Sequence, residues 1–146
     1  MTLGEARDKL RELVEDGEHC PCCTQFAKVY KRRIHASMAA TLIRMYRAVP
    51  PEQFMYLPDI PQKARDCTFL RYWDLIAEES VVRPDGGRAG WWRVTREGHL
   101  FVRGEVFTPK YARVYDGRCL GFEGDAVSIH DCLGKKFNYR ELMEGV

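Results

Sequence analysis

Residues 64–102, ARDCTFLRYWDLIAEESVVRPDGGRAGWWRVTREGHLFV, constrain the fold most tightly. They carry a helical period, a β-prone run, a glycine turn, a second β-prone run and the start of another helix, in that order. On a helical wheel Phe69, Leu70, Trp73, Ile76 and Ala77 share one face, which predicts an amphipathic helix from Ala64 that ends around Leu75-Ile76. Ala64, Thr68 and Arg71 fall on the opposite face, and Glu78-Glu79 sit in solvent at the helix end. Asp85-Gly86-Gly87 is turn chemistry, because glycine accepts positive φ, and Pro84 fixes the approach. Val81 and Val82 before the turn, and Trp91, Trp92 and Val94 after it, are the expected hairpin partners. Thr95 is placed to cap the following helix with Glu97 nearby, although Gly98 weakens that helix. Arg83, Arg88, Arg93 and Arg96 surround the hairpin, either to meet an anionic partner or to solvate a ribbon whose tryptophans pack inward.

The rest of the chain extends this into an α+β domain. A hydrophobic content of 45% and an aromatic content of 12% suffice for a packed core and exclude global disorder. At 146 residues the expectation is a single domain in four stretches. Residues 1–18 form an N-terminal amphipathic helix, with Leu3, Ala6, Leu10, Leu13 and Val14 at helical spacing and an end near Gly17. Residues 19–34 hold a cysteine knuckle and a basic segment in which strand and helix are both tenable for Phe26 to Ile34. Residues 35–108 form the core, with a helix over Ser37 to Val49 stopped by Pro50-Pro51 and a short strand over Phe54 to Leu57. Residues 109–146 form a small β-hairpin extension: strands at Tyr111 to Tyr115, Cys119 to Phe122 and Val127 to Ile129, turns at Asp116-Gly117 and Gly124-Asp125. A last helix over Phe137 to Met143 is capped by Asn138 with Glu141 three residues on.

Charge distribution says more than the net charge of +2, which is too small to imply a nucleic-acid partner. Acids outnumber bases from Thr2 to Glu18. From Thr24 to Pro51 there is no acid, only Lys28, Lys31, Arg32, Arg33, Arg44 and Arg47 with His35 beside them. Such a patch is either an electrostatic footprint for an anionic partner or the counterpart of the acidic helix. No stretch is apolar enough to span a membrane and no signal-peptide core is present, so a cytoplasmic protein is expected, with its six cysteines as thiols or metal ligands.

His19-Cys20-Pro21-Cys22-Cys23 is the other chemical constellation. Cys20 and Cys23 have the C-x-x-C spacing that lets two thiolates grip one ion, and zinc takes four such ligands. No second C-x-x-C follows, so candidates for the remaining shell of a structural zinc are His19, Cys22, Cys119, His130 and Cys132. His130 and Cys132 are preferred, since one intervening residue places both near one point of a strand end; completion by a second protomer, redox chemistry and a plain cysteine cluster are the alternatives. Cys67 reads as a small core residue. Catalysis finds no motif: there is no P-loop, no H-E-x-x-H and no G-x-S-x-G, and His35 and His99 read as a helix-start residue and a surface or half-buried one. A non-catalytic binding protein is expected.

Leu75-Ile76, Gly87-Arg88 and Trp92-Arg93-Val94-Thr95-Arg96-Glu97-Gly98 resemble the recognition helix and wing of winged helix-turn-helix regulators of the MarR or PadR type. The chain, with its C-P-C-C knuckle and Val29-Tyr30-Lys31-Arg32 run, is also similar to small proteins encoded by bacteriophages of actinobacteria. The first resemblance implies a winged-helix-like core and duplex DNA as partner. Thr68 and Arg71 would then face base edges, and Arg88, Lys31, Arg32 and Arg33 would contact phosphates. It also implies a homodimer, for which the Leu3 to Glu15 helix is the candidate element. The function expected is that of a phage transcriptional regulator. The alternative is a winged-helix protein–protein interaction module acting on a host partner through Trp91, Trp92 or Tyr72. One departure stands out: the short helix expected before the recognition helix has no recognisable place among Pro58, Pro61 and Gln62.

Overall fold

Residues 2–13, 17–19, 26–79 and 90–145 are described by a computed structural model. In chain order the elements begin with α1 (Leu3–Leu13), β1 (Glu18–His19), β2 (Phe26–Ala27), β3 (Tyr30–Arg33) and α2 (Ala36–Ala48). There follow β4 (Met55–Tyr56), a 3-10 turn (Leu57–Asp59), a longer 3-10 helix (Cys67–Trp73), β5 (Ile76–Glu78), β6 (Trp91–Val94) and α3 (Arg96–Val102). The chain finishes with β7 (Thr108–Tyr115), β8 (Arg118–Val127), α4 (Ile129–Leu133) and α5 (Tyr139–Glu144). This is an α+β chain. It divides into two compact units, Met1–Arg33 with Tyr111–Glu123 and Ile34–Lys110 with Gly124–Val146. The stretch after Pro109, expected as one extension, is therefore shared between them: β7 pairs with β3 and β8 with β7, while α4 and α5 pack on α2.

In the first unit β1 pairs antiparallel with β2, and the knuckle residues 20–25 between them lie outside the described residues. β3, β7 and β8 form an antiparallel-paired sheet in that order, with Tyr30 opposite Val114 and Arg33 opposite Tyr111. The basic run is thus strand. Asp116 and Gly117 both take positive φ (49° and 74°), as a two-residue hairpin with the sheet's twist requires. Gly124-Asp125 does not reverse the chain; both residues lie inside β8, where Gly124 takes φ 87°. Nor is Val127 to Ile129 a strand. Ser128 accepts a bond from the Asp131 N–H while the Asp131 carboxylate accepts one from the Ser128 N–H, a reciprocal capping box that opens α4 instead.

The second unit is assembled around α2. Met38, Ala39, Ala40, Thr41, Leu42, Ile43 and Met45 are all buried, so most of the helix circumference is closed off from water. The 3-10 helix, β6, α3, α4 and α5 supply the cover. Thr41 is fully buried and both capacities of its hydroxyl are used: it donates to the Ser37 carbonyl at 2.8 Å and accepts from the Ala64 N–H at 2.8 Å. That second bond fixes where the segment after Pro61 begins.

The helix expected from Ala64 to Leu75-Ile76 is shorter and of a different kind. Ala64, Cys67, Leu70 and Trp73 are the buried residues, a spacing of three rather than 3.6, which is the repeat of a 3-10 helix. Ala64 lies on the covered side, not the solvent side, and Phe69 is only half-buried. Asp74 stops the helix in the left-handed region at φ 59°, and Ile76 opens β5. The sheet order is β4–β6–β5, with Ile76 opposite Val94 and Met55 opposite Trp92. Thr95 caps α3, accepting from the Gly98 N–H at 3.0 Å and donating to the Asp74 carbonyl. Gly98 is no mere weakness in that helix. A Cβ there would stand 2.1 Å from the Leu75 carbonyl oxygen and 2.7 Å from Val94, so only glycine lets α3 start against β5.

Two substitutions check this packing. Thr41→Val keeps the shape but strands the buried Ala64 N–H, and should lower unfolding free energy in urea by about 1–3 kcal/mol. Gly98→Ala should cost at least about 1–3 kcal/mol, the usual range for overpacking, because the atom displaced is backbone. A Gly98→Ala protein as stable as the parent would contradict the close approach.

Candidate functional site

The 3-10 helix presents two columns of side chains away from the core, because residues three apart eclipse in this geometry. Arg65, in the turn before it, Thr68 and Arg71 make one; Asp66, Phe69 and Tyr72 make the other. Thr68 is half-buried and Arg71 exposed, so both expected base-facing residues share a surface. Arg71 is held there. Its guanidinium donates to the Thr68 carbonyl at 3.0 Å and the Tyr72 hydroxyl at 3.1 Å, and its central carbon lies 4.5 Å from the Tyr72 ring centre. Of five N–H donors, most remain for an acceptor outside the chain. Arg65 was not singled out from the sequence, and a period of three is the signal that finds it.

Of the other residues assigned to DNA, three belong to the first unit. Arg88 lies outside the described residues, as do Arg83 and the glycine turn. Lys31, Arg32 and Arg33 are successive residues of β3, and a strand sends neighbours to opposite faces. They form no single patch. Lys31 reaches the Glu123 carboxylate at 2.6 Å, with Arg113 at 4.0 Å from the same group, and that bond raises the lysine pKa. Arg32 lies over the Tyr30 ring at 5.0 Å. These cations serve the first unit's own sheet.

The aromatic anchors of the protein-partner reading fare unequally. Trp92 is 5% exposed, in the core, whereas Trp91 is half-buried against Tyr56 with ring centres 5.4 Å apart. Arg93 pairs with Glu52 at 3.8 Å, and Trp73 donates its indole N–H to the Pro109 carbonyl at 2.9 Å.

For metal binding, Cys20 and Cys23 lie outside the described residues. His130 and Cys132 are on α4, not at a strand end, and residues two apart on a helix do not face each other. His130 is exposed and its ring packs 4.4 Å from that of Tyr139; burial pushes the Cys132 thiol up to about 11. Among the described residues no group of three or more His, Cys, Asp or Glu side chains is placed to hold an ion. Nor is any helix there long and apolar enough to cross a membrane.

Alongside the buried Cys67 thiol, His99 is the one histidine, lysine, arginine or carboxylate side chain buried among the described residues. It is 7% exposed, packs against Tyr46 at 4.9 Å between ring centres, and its buried Nδ1 has no hydrogen-bond partner among the described residues. Burial, then the nearby Arg103 cation, lower its pKa, against a smaller upward pull from Glu52. The folded state thus binds fewer protons than the unfolded chain once pH falls below the ordinary histidine value. Stability contributed by neutral His99 is present in full above about pH 6.5 and is lost as pH falls through the folded value. The urea midpoint of the parent should therefore fall more steeply between about pH 7 and about pH 5 than that of His99→Phe, which keeps the ring packing. Parallel profiles would refute this. Set against known proteins as a whole, the chain matches no family model, no curated protein and no solved structure.

Proposed function

We propose that the second unit is a winged helix and that the protein is a non-catalytic DNA-binding regulator, of the kind a phage uses to control transcription. The observation that carries this reading is the order of elements together with the order of strands. Helix α2, strand β4, a 3-10 turn, a 3-10 helix, β5, β6 and α3 follow one another, and β6 lies between β4 and β5. In a winged helix the strand before the helix-turn-helix takes the outer place beside the last strand, and the loop between the two antiparallel strands is the wing. Here residues 80–89 between β5 and β6, which include Arg83, Gly86, Gly87 and Arg88, lie outside those described. The 3-10 turn at Leu57–Asp59 occupies the position of the short second helix, formed on Pro58 where no helix was legible.

The 3-10 helix takes the recognition role in this scheme, with Arg71 and Thr68 toward base edges and Arg65 and Arg88 toward phosphates. Burial of Trp92 favours DNA over a protein partner, since it removes one of the two adjacent tryptophans as an anchor.

Fluorescence anisotropy with random-sequence duplex across a salt series tests the proposal. Affinity should fall log-linearly with salt, and Arg88→Ala and Arg65→Ala should each weaken binding and flatten the slope by about one. Arg71→Ala should weaken binding as well, by about 1–3 kcal/mol at a preferred site. No binding at low salt would sink the reading and leave the protein-interaction module in its place.

A further inference from the structure

A second site lies in the same unit, apart from the 3-10 helix and independent of the DNA reading. The end of α2 and the C-terminal end of α3 flank an open depression of about 400 Å³ lined by Tyr46, Arg47, Pro50, Pro51, His99 and Arg103 among others. None of its lining residues among those described is acidic. Arg103 donates its Nε–H to the Tyr46 hydroxyl at 3.0 Å, which leaves the guanidinium's two terminal nitrogens and the phenol proton to other acceptors. His99 contributes an imidazole more than nine-tenths buried, with Nδ1 unpartnered among the described residues. Buried polar atoms in native proteins are almost always satisfied, so a stranded one on a residue that also lines a basic depression calls for an explanation.

We propose that this depression binds the phosphoryl group of a small molecule. Arg103, Tyr46 and His99 bring a guanidinium, a phenol O–H and an imidazole to the lining of one depression. A tetrahedral anion offers each an oxygen, whereas a planar carboxylate offers two. Arg47 adds positive charge to the wall, although its guanidinium lies against Gly145 at the end of α5. The groups that act on His99 are Arg103 from its own helix, Tyr46 and Arg47 from α2, and Glu52, which is already paired with Arg93. An arriving anion favours the protonated imidazole, so binding and protonation of His99 reinforce each other.

Sulfate is the first probe, because its charge is constant over the pH range, followed by inorganic phosphate and a nucleoside monophosphate. Titration of the whole chain by calorimetry and by the His99 ring resonances should show sulfate binding that tightens about tenfold from about pH 8 to about pH 6. His99→Gln should remove that pH dependence. Arg103→Gln should weaken binding about tenfold or more, and Tyr46→Phe, which keeps the ring, should weaken it measurably even if Arg103→Gln fails to fold. A monophosphate tighter than phosphate identifies an ester ligand, and equal affinities identify free phosphate; both uphold the site. No binding at tens of millimolar, affinity unchanged in both Arg103→Gln and Tyr46→Phe, or displacement of sulfate by duplex DNA would overturn it.

Discussion

Burying Met38, Ala39, Ala40, Thr41, Leu42, Ile43 and Met45 on one helix leaves little of it for water, so neighbours must arrive from several sides. That requirement organises the second unit. It recruits the 3-10 helix and β6 from the middle of the chain and α4 and α5 from its end. The polar atom in the midst of this apolar surface, the Thr41 hydroxyl, is tolerable because it satisfies its own helix and the Ala64 N–H at once. One hydroxyl thereby couples the central helix to the start of the proposed recognition element. Thr95 does the same at the other end, joining the turn at Asp74 to the cap of α3.

What could be read from the sequence was the chemistry that acts over a few residues. The Asp116-Gly117 turn, the Thr95 and Asn138 caps and the limits of α2 all rest on local preference, and the structure has them within a residue or so. Ser128 and Asp131 carried an equally local signal that was taken for a strand, because Val127 and Ile129 are β-branched. The recognition segment was harder. Over seven residues, periods of 3 and 3.6 select overlapping sets, and Leu70 and Trp73 belong to both. Only Ala64 and Cys67 on the inside, and Phe69 displaced outward, tell the two apart, and their places depend on a bond to Thr41 that is 23 residues away in sequence. Gly98 is of the same type: its missing Cβ has meaning only beside Leu75.

Charge followed a similar rule. The acid-free run from Thr24 to Pro51 reads as one basic patch, yet within it strand alternation and the Glu123 carboxylate disperse Lys31, Arg32 and Arg33. The cations left in strategic positions are those held by neutral groups: Arg71 by a carbonyl and a tyrosine, Arg103 by the Tyr46 hydroxyl. A guanidinium oriented by a phenol keeps its full charge while losing its freedom, which reduces the entropy an anionic ligand must overcome. Neither arrangement is visible as a motif, since each needs helix geometry or a partner 57 residues distant.

The interleaving of the two units has a consequence for synthesis. α2 emerges early from the ribosome, but α4 and α5, which help roof it, are made only after the strands of the other unit have been produced. Throughout that interval its aliphatic surface lacks part of its cover, a condition that favours chaperone capture and association between nascent chains. A premature stop anywhere in β8 would make that condition permanent. The last short helices are thus as necessary to a folded molecule as the central helix they cover.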